Sequence, residues 1–166
     1  MSAAGVDPML VREGRRRFAS GVTVVLTQQG DGFRGATVSS FAIVSLEPPA
    51  LVISLDYEGR MSTLVPETGR FTVSILGQRH EFAAERFAGR APLVDERLSG
   101  VAHELAPSGL PVLTGALAWF DCRVQSIHDG GDHLLVVGAI DQVMIGPDTD
   151  APLVFYEGRY RSLDLS

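Results

Sequence analysis

Along the chain, apolar and polar residues alternate in short runs, with few stretches at helical spacing. Gly21 to Gln28 is rich in Val and Thr and predicts a strand. The turn residues Gln29-Gly30-Asp31-Gly32 follow, and Phe33 to Ser40 predicts the returning strand of a hairpin. Ala50 to Leu55, entered through Pro48-Pro49, predicts a further strand, and Phe71 to Leu76 another. Ala116 to Ile127 and His133 to Ile145 are long strand-like runs around Asp129-Gly130-Gly131-Asp132, a strong hairpin signal. Leu153 to Tyr156 predicts the last strand, and Gly158-Arg159-Tyr160 a turn after it.

Helical spacing is confined to three places. Asp7-Pro8 can cap and start a helix through Phe18, with Arg15-Arg16-Arg17 complementing the dipole near its end. Arg60 to Glu67 predicts a short helix, weakened by Pro66. Gln78 to Ala88 places Phe82, Ala83 and Phe87 on one helical face. Ala91 to Leu113 is broken by prolines and glycines and predicts a loop-rich excursion with a helical turn at Val94 to Leu98. About six or seven strands with two or three short helices form no repeating βαβ pattern, and no Gly-x-Gly-x-x-Gly follows a strand. The expected fold is mainly β with short α: an antiparallel barrel, which removes exposed edges by closure. One domain over 1–166 is expected, with its core at about 18–163.

Composition narrows the function classes. A net charge of -6 argues against non-specific nucleic-acid binding. Arginine supplies all 14 basic residues, because lysine is absent. The single cysteine, Cys122, forbids an intrachain disulfide, and its alternating apolar surroundings predict a buried thiol. No run approaches the ~20 apolar residues of a membrane helix, and the first residues carry no signal peptide. A cytoplasmic setting is the expectation.

Several chemistries are disfavoured. His80, His103, His128 and His133 are scattered, without His-x-x-x-His or Cys-x-x-Cys spacing, so no metal site is expected. Gly-x-Ser-x-Gly is absent. Asp95-Glu96 falls in the loop-rich region as a solvated pair, and Asp129 and Asp132 flank a glycine turn. What remains is Gly35-Ala36-Thr37-Val38-Ser39-Ser40-Phe41. Its small residues allow close backbone approach, and its hydroxyls donate and accept without charge. Such a surface suits a planar ring with a polar edge. Ser39 and Ser40 serve either that ring or the cap of a turn.

Further motifs give a family resemblance. Phe18-Ala19-Ser20-Gly21-Val22-Thr23-Val24-Val25 resembles the opening of the flavin reductase-like family, short-chain reductases that often serve two-component monooxygenases. Thr37-Val38-Ser39-Ser40-Phe41 and Val44-Ser45-Leu46-Glu47-Pro48-Pro49 are similar to its flavin-binding region. Gly69 to Leu76, Glu85-Arg86-Phe87-Ala88, Gly131-Asp132-His133 and Gly158-Arg159-Tyr160 follow in the family's order.

The resemblance implies a split β-barrel homodimer of the FMN-binding type. It implies FMN or FAD as flavin, NADH or NADPH as hydride donor, and a partner monooxygenase that takes the reduced flavin. It assigns Thr37, Val38, Ser39 and Ser40 to the isoalloxazine edge, and Arg60, Ser62 and Thr63 to the phosphate. The segment Gly59-Arg60-Met61-Ser62-Thr63 departs from the family's usual Ser-x-Thr. Ser54 is either a flavin contact or a packed strand serine. By resemblance His133 lies beside the flavin or nicotinamide as the catalytic candidate, and Arg159 and Tyr160 contact cofactor or partner subunit. Hydride transfer needs no general acid, which agrees with the lack of a catalytic dyad. The alternatives are a flavin-binding electron carrier without NAD(P)H turnover, a split barrel of the pyridoxamine-phosphate oxidase type, or a non-enzymatic interaction barrel.

Overall fold

The computed structural model describes residues 5–89 and 98–166. The chain opens with helix α1 (Pro8–Arg16), whose N-cap Asp7 accepts from the Met9 amide at 2.9 Å. The strands β1 (Ser20–Gly21), β2 (Thr23–Gln29), β3 (Gly32–Val38), β4 (Phe41–Leu46) and β5 (Pro49–Asp56) follow. Helix α2 (Met61–Thr68), strand β6 (Arg70–Ile75), a 3-10 turn at Gln78–His80 and helix α3 (Glu81–Phe87) come next. The remainder is β7 (His103–Leu105), β8 (Pro111–Leu113), β9 (Ala118–Asp129), β10 (His133–Ile145), β11 (Leu153–Tyr156) and β12 (Arg159–Ser162). None of the described helices is long and apolar enough to cross a membrane.

Seven strands form one antiparallel sheet in the order β3-β2-β6-β9-β10-β5-β4. Only Ser39 and Ser40 separate β3 from β4, yet these strands lie at opposite ends of that order. An extended residue spans at most about 3.6 Å, so two linking residues hold the edges close together. The sheet therefore curls, bringing the linked ends of its two edge strands together at Ser39 and Ser40. The Ser54 amide of β5 donates to the Ser40 carbonyl at 3.3 Å, which carries the β4–β5 pairing one residue past Phe41 and Ile53 into this link.

The curled sheet encloses the main core. Val25 and Val38 from one end of the strand order meet Leu51, Ile53 and Leu55 from the other, with Met61 and Val65 of α2 among them. A second core packs the opposite face of β2, through Val24 and Leu26, against Ala83, Ala84 and Phe87 of α3. Gly35 makes that packing possible: a Cβ there would stand 2.6 Å from Leu26 Cδ2 and 2.9 Å from Phe87 Cδ1. Its smallness thus serves α3 rather than the ligand approach expected of it. β1, β11 and β12 form a separate three-stranded sheet, and β7 and β8 a two-stranded one.

The hairpins β2–β3 and β9–β10 stand where the sequence predicts them. The strand total exceeds the six or seven expected, because twelve are formed among the described residues. β4 was not anticipated: it is mostly exposed and carries an irregularity between Ile43 and Ser45. The Ala91 to Leu113 excursion contains the short hairpin β7–β8. The segment after Gly158 is a strand rather than a turn alone, since β12 pairs with β11. The helical turn expected at Val94 to Leu98 lies outside the described residues except for Leu98, and Asp95-Glu96 lies outside them altogether.

Candidate functional site

Residues of β3 alternate between the two cores. Val38 points into the main core, so it can reach a ligand only through its main chain, and its carbonyl already accepts from Thr23 Oγ1 at 2.6 Å. Thr37 points the other way and donates its hydroxyl to the Ala84 carbonyl of α3 at 2.6 Å. Its oxygen keeps acceptor capacity. Thr37 and Ser39 line a small cavity of ≈ 90 Å³ with Val22, Ala88, Phe155 and Tyr160. The Tyr160 ring packs against Phe155 with centroids 5.4 Å apart. Arg159 precedes it on β12 but is exposed and does not line this cavity.

Ser39 also borders a larger groove of ≈ 350 Å³, shared with Phe18, Ala19, Ser20, Gly21, Thr23, Phe41 and Ile75 among others. That volume falls in the usual range of about 300–1,000 Å³ for small-molecule sites. Neither lining contains a charged residue. The walls are aromatic, aliphatic and hydroxylated, which suits a flat ring with hydrogen-bonding edges.

The remaining candidates gather where β5 ends. Ser54 donates its hydroxyl to that of Ser40 at 2.5 Å, so these two sit side by side where the β4–β5 pairing ends. Two residues beyond Ser54, Asp56 begins the turn into α2. Asp56 Oδ1 accepts from the Glu58 amide at 2.9 Å, and its carbonyl accepts from the Gly59 amide at 3.0 Å. Arg60 is the N-cap of α2 and makes no side-chain cap bond. Its guanidinium has no partner among the described residues. Ser62 is buried and donates to the Gly59 carbonyl at 2.9 Å, so its hydroxyl is committed to the turn. Thr63 is exposed. The unexpected Met61 is a core residue, not a ligand contact.

Antiparallel register sets His133 opposite Asp56. Its neighbour Leu134 enters the main core, which turns His133 to the opposite, outward face beside Ser54 and Asp56. The His133 Nδ1 lies 2.7 Å from Asp132 Oδ1. An ionised carboxylate only accepts, so the proton sits on Nδ1 and Nε2 is left to meet a ligand. The hydrogen bond from His133, and then its charge, holds the Asp132 carboxyl below the ordinary range, with Arg15 adding to the effect.

Sequence reasoning missed Val22, Ala88 and Phe155 in the cavity wall. All three are ordinary apolar residues, distant in sequence and joined only by the fold. It also missed Tyr57, whose hydroxyl donates to Asp129 Oδ1 at 3.1 Å. Desolvation, and then that carboxylate, hold the Tyr57 phenol above its ordinary pKa. Cys122 is buried in the main core, where burial first and the charges of Asp121 and Asp141 next push its thiol up to about 12. No group of His, Cys, Asp and Glu among the described residues is arranged to hold a metal ion.

Comparison with known proteins gives this geometry its context. An NADH-dependent flavin reductase from Rhodococcus sp is 40% identical over 163 residues, covering 96% of this chain and 89% of that protein. The reductase component of 4-hydroxyphenylacetate 3-monooxygenase from Thermus thermophilus is 37% identical, covering 92% of this chain and 94% of the relative. The solved Streptomyces globisporus NADH:FAD oxidoreductase in complex with NAD and FAD fragments superposes with a TM-score of 0.87 at 30% identity, covering 98% of both chains. The family model for the flavin reductase like domain matches residues 15–164, and the chain belongs to the flavin reductase-like family.

Proposed function

We propose that this protein oxidises NADH or NADPH and reduces FMN or FAD, handing the reduced flavin to a partner monooxygenase. The observation that carries this reading is the match to an NADH-dependent flavin reductase across 96% of the chain. The donor set agrees with it. The cavity and groove around Ser39 are lined by aromatic, aliphatic and hydroxylated residues that suit a flavin ring, and the unpartnered Arg60 guanidinium is a donor for a phosphate.

In this reading Thr37, Ser39, Ser40 and the Val38 main chain border the polar edge of the ring, and Ser54 holds Ser40 in place. The Arg60 guanidinium, the Thr63 hydroxyl and the Met61 and Ser62 amides at the start of α2 bind the phosphate, favoured by the positive helix end. Ser62 shapes that turn. His133 presents Nε2 to the reacting rings, while Arg159 and Tyr160 border the cofactor or the partner subunit. The bound pair supplies the chemistry, hydride transfer from nicotinamide to flavin N5. The protein's part is to stack the rings, exclude water and fix the polar contacts. The curled sheet is one split β-barrel, the chain is a single domain, and it works as a cytoplasmic homodimer.

The test is a steady-state assay of NADH and NADPH oxidation. Turnover is expected to rise with added FMN or FAD. Purified protein that turns over neither flavin with either nicotinamide overturns the reading.

A further inference from the structure

We infer that Tyr57 is a positioning residue, a latch that holds the β9–β10 turn, and with it His133, against the turn that opens α2. The inference rests on the placement of His133 at the reacting rings given above. Tyr57 follows β5 directly and grips the neighbouring turn twice. Its amide donates to the Asp132 carbonyl at 3.2 Å, and its hydroxyl to Asp129 Oδ1 at 3.1 Å. The same Oδ1 accepts from the Gly131 amide at 3.1 Å, so the phenol and the turn share one carboxylate oxygen. The Gly130 amide donates to the His133 carbonyl at 2.8 Å, and Asp132 holds the imidazole through Nδ1. An unbroken chain of contacts therefore runs from Tyr57 to the His133 ring.

The turn needs such a tie. Its tip is Gly130-Gly131, with Gly131 at φ 92°, a conformation that side chains other than glycine's rarely adopt. The β10–β5 ladder holds the hairpin as far as His133 opposite Asp56 and stops there, so glycine leaves the 130–132 tip, with the Asp132 side chain that holds the imidazole, to be fixed by other contacts. A phenol donating to a carboxylate makes a directional, charge-assisted bond. Tyr57 is nonetheless 46% exposed, so the bond adds little to folding stability. Positioning and stability are therefore separable by experiment.

The variants are Tyr57→Phe, His133→Ala and both together, in the full chain. Tyr57→Phe removes one hydroxyl and keeps the ring and the main-chain bond. It is expected to lower kcat/KM for NADH about three- to tenfold, while the flavin Kd and melting temperature hold. In the His133→Ala background the same change is expected to have no further effect, because the group it positions is gone. Wild-type kinetics for Tyr57→Phe overturn the latch. So does a penalty that multiplies with that of His133→Ala, or one accompanied by a matching fall in melting temperature. If His133→Ala alone leaves NADH kinetics unchanged, the placement of His133 fails and the latch with it. Flavin-dependent NADH oxidation by the wild type would still stand in that case.

Discussion

The Ser54 hydroxyl donates to the Ser40 hydroxyl over 2.5 Å, one residue past the last pair of the β4–β5 ladder. Ser54 is half-buried on β5, and Ser40 is exposed at the link between β3 and β4. The pair lies between Ser39, its neighbour in sequence on the cavity wall, and the turn that carries Arg60, although neither serine lines the cavity itself. Ser54→Ala removes the shorter of the two bonds that orient the Ser40 hydroxyl and leaves only its 3.4 Å bond to the carbonyl of residue 54. The flavin Kd, followed by fluorescence titration, is expected to rise about three- to tenfold. An unchanged Kd would leave the pair with a structural role only.

Arg60 offers a sharper test, because riboflavin lacks the phosphate. Arg60→Ala is expected to raise the Kd for FMN about tenfold and to leave that for riboflavin unchanged. Equal losses for both ligands would place Arg60 at the ring or in folding instead. The guanidinium caps nothing in α2, so the variant is expected to keep the wild-type melting temperature.

Cys122 gives a pH dependence with a defined sign. Its thiol is raised from 9.0 to about 12 in the folded protein. A group raised on folding stabilises fully below its unfolded value. Its contribution is then lost as pH climbs from 9.0 toward 12. The native protein is expected to resist thiol reagents at pH 8 and to react at once in denaturant. The melting temperature of the wild type is expected to fall more steeply above pH 9 than that of Cys122→Ala.

The paired strands were legible in the sequence because their turns carry their own chemistry. Asp129-Gly130-Gly131-Asp132 and Gln29-Gly30-Asp31-Gly32 each mark a reversal between apolar runs. β4 was not legible: Ala42, Ile43 and Val44 are all exposed, so no alternation marks a buried face. β7 and β8 have three residues each and pair Leu105 with Pro111, a residue that argues against a strand. At the candidate site, the hydroxyls of Thr37, Ser39 and Ser40 could be picked out from the sequence and Ser54 by resemblance, but the orientation of none of them could. Whether a side chain faces the main core or α3 depends on register, which only the assembled sheet fixes. The partners of Tyr57 were equally hidden, because Asp129 and Asp132 read locally as turn residues.

Gly35 connects packing to the site, and its replacement tests that connection. A methyl group there would stand 2.6 Å from Leu26 Cδ2 and 2.9 Å from Phe87 Cδ1, both within the second core. Leu26 is fully buried on β2, so the easier movement is of α3, which carries Phe87 outward. That shift would stretch the Thr37 hydroxyl bond to the Ala84 carbonyl, now 2.6 Å, and displace Ala88 from the cavity wall. Gly35→Ala is expected to cost about 1–3 kcal/mol in urea unfolding, the usual range for an overpacked core. It is also expected to weaken flavin binding, although residue 35 lines neither the cavity nor the groove. Pairing it with Phe87→Leu, which makes room for the methyl group, should recover part of both losses. Stability recovered without flavin affinity would separate α3 packing from the cavity wall.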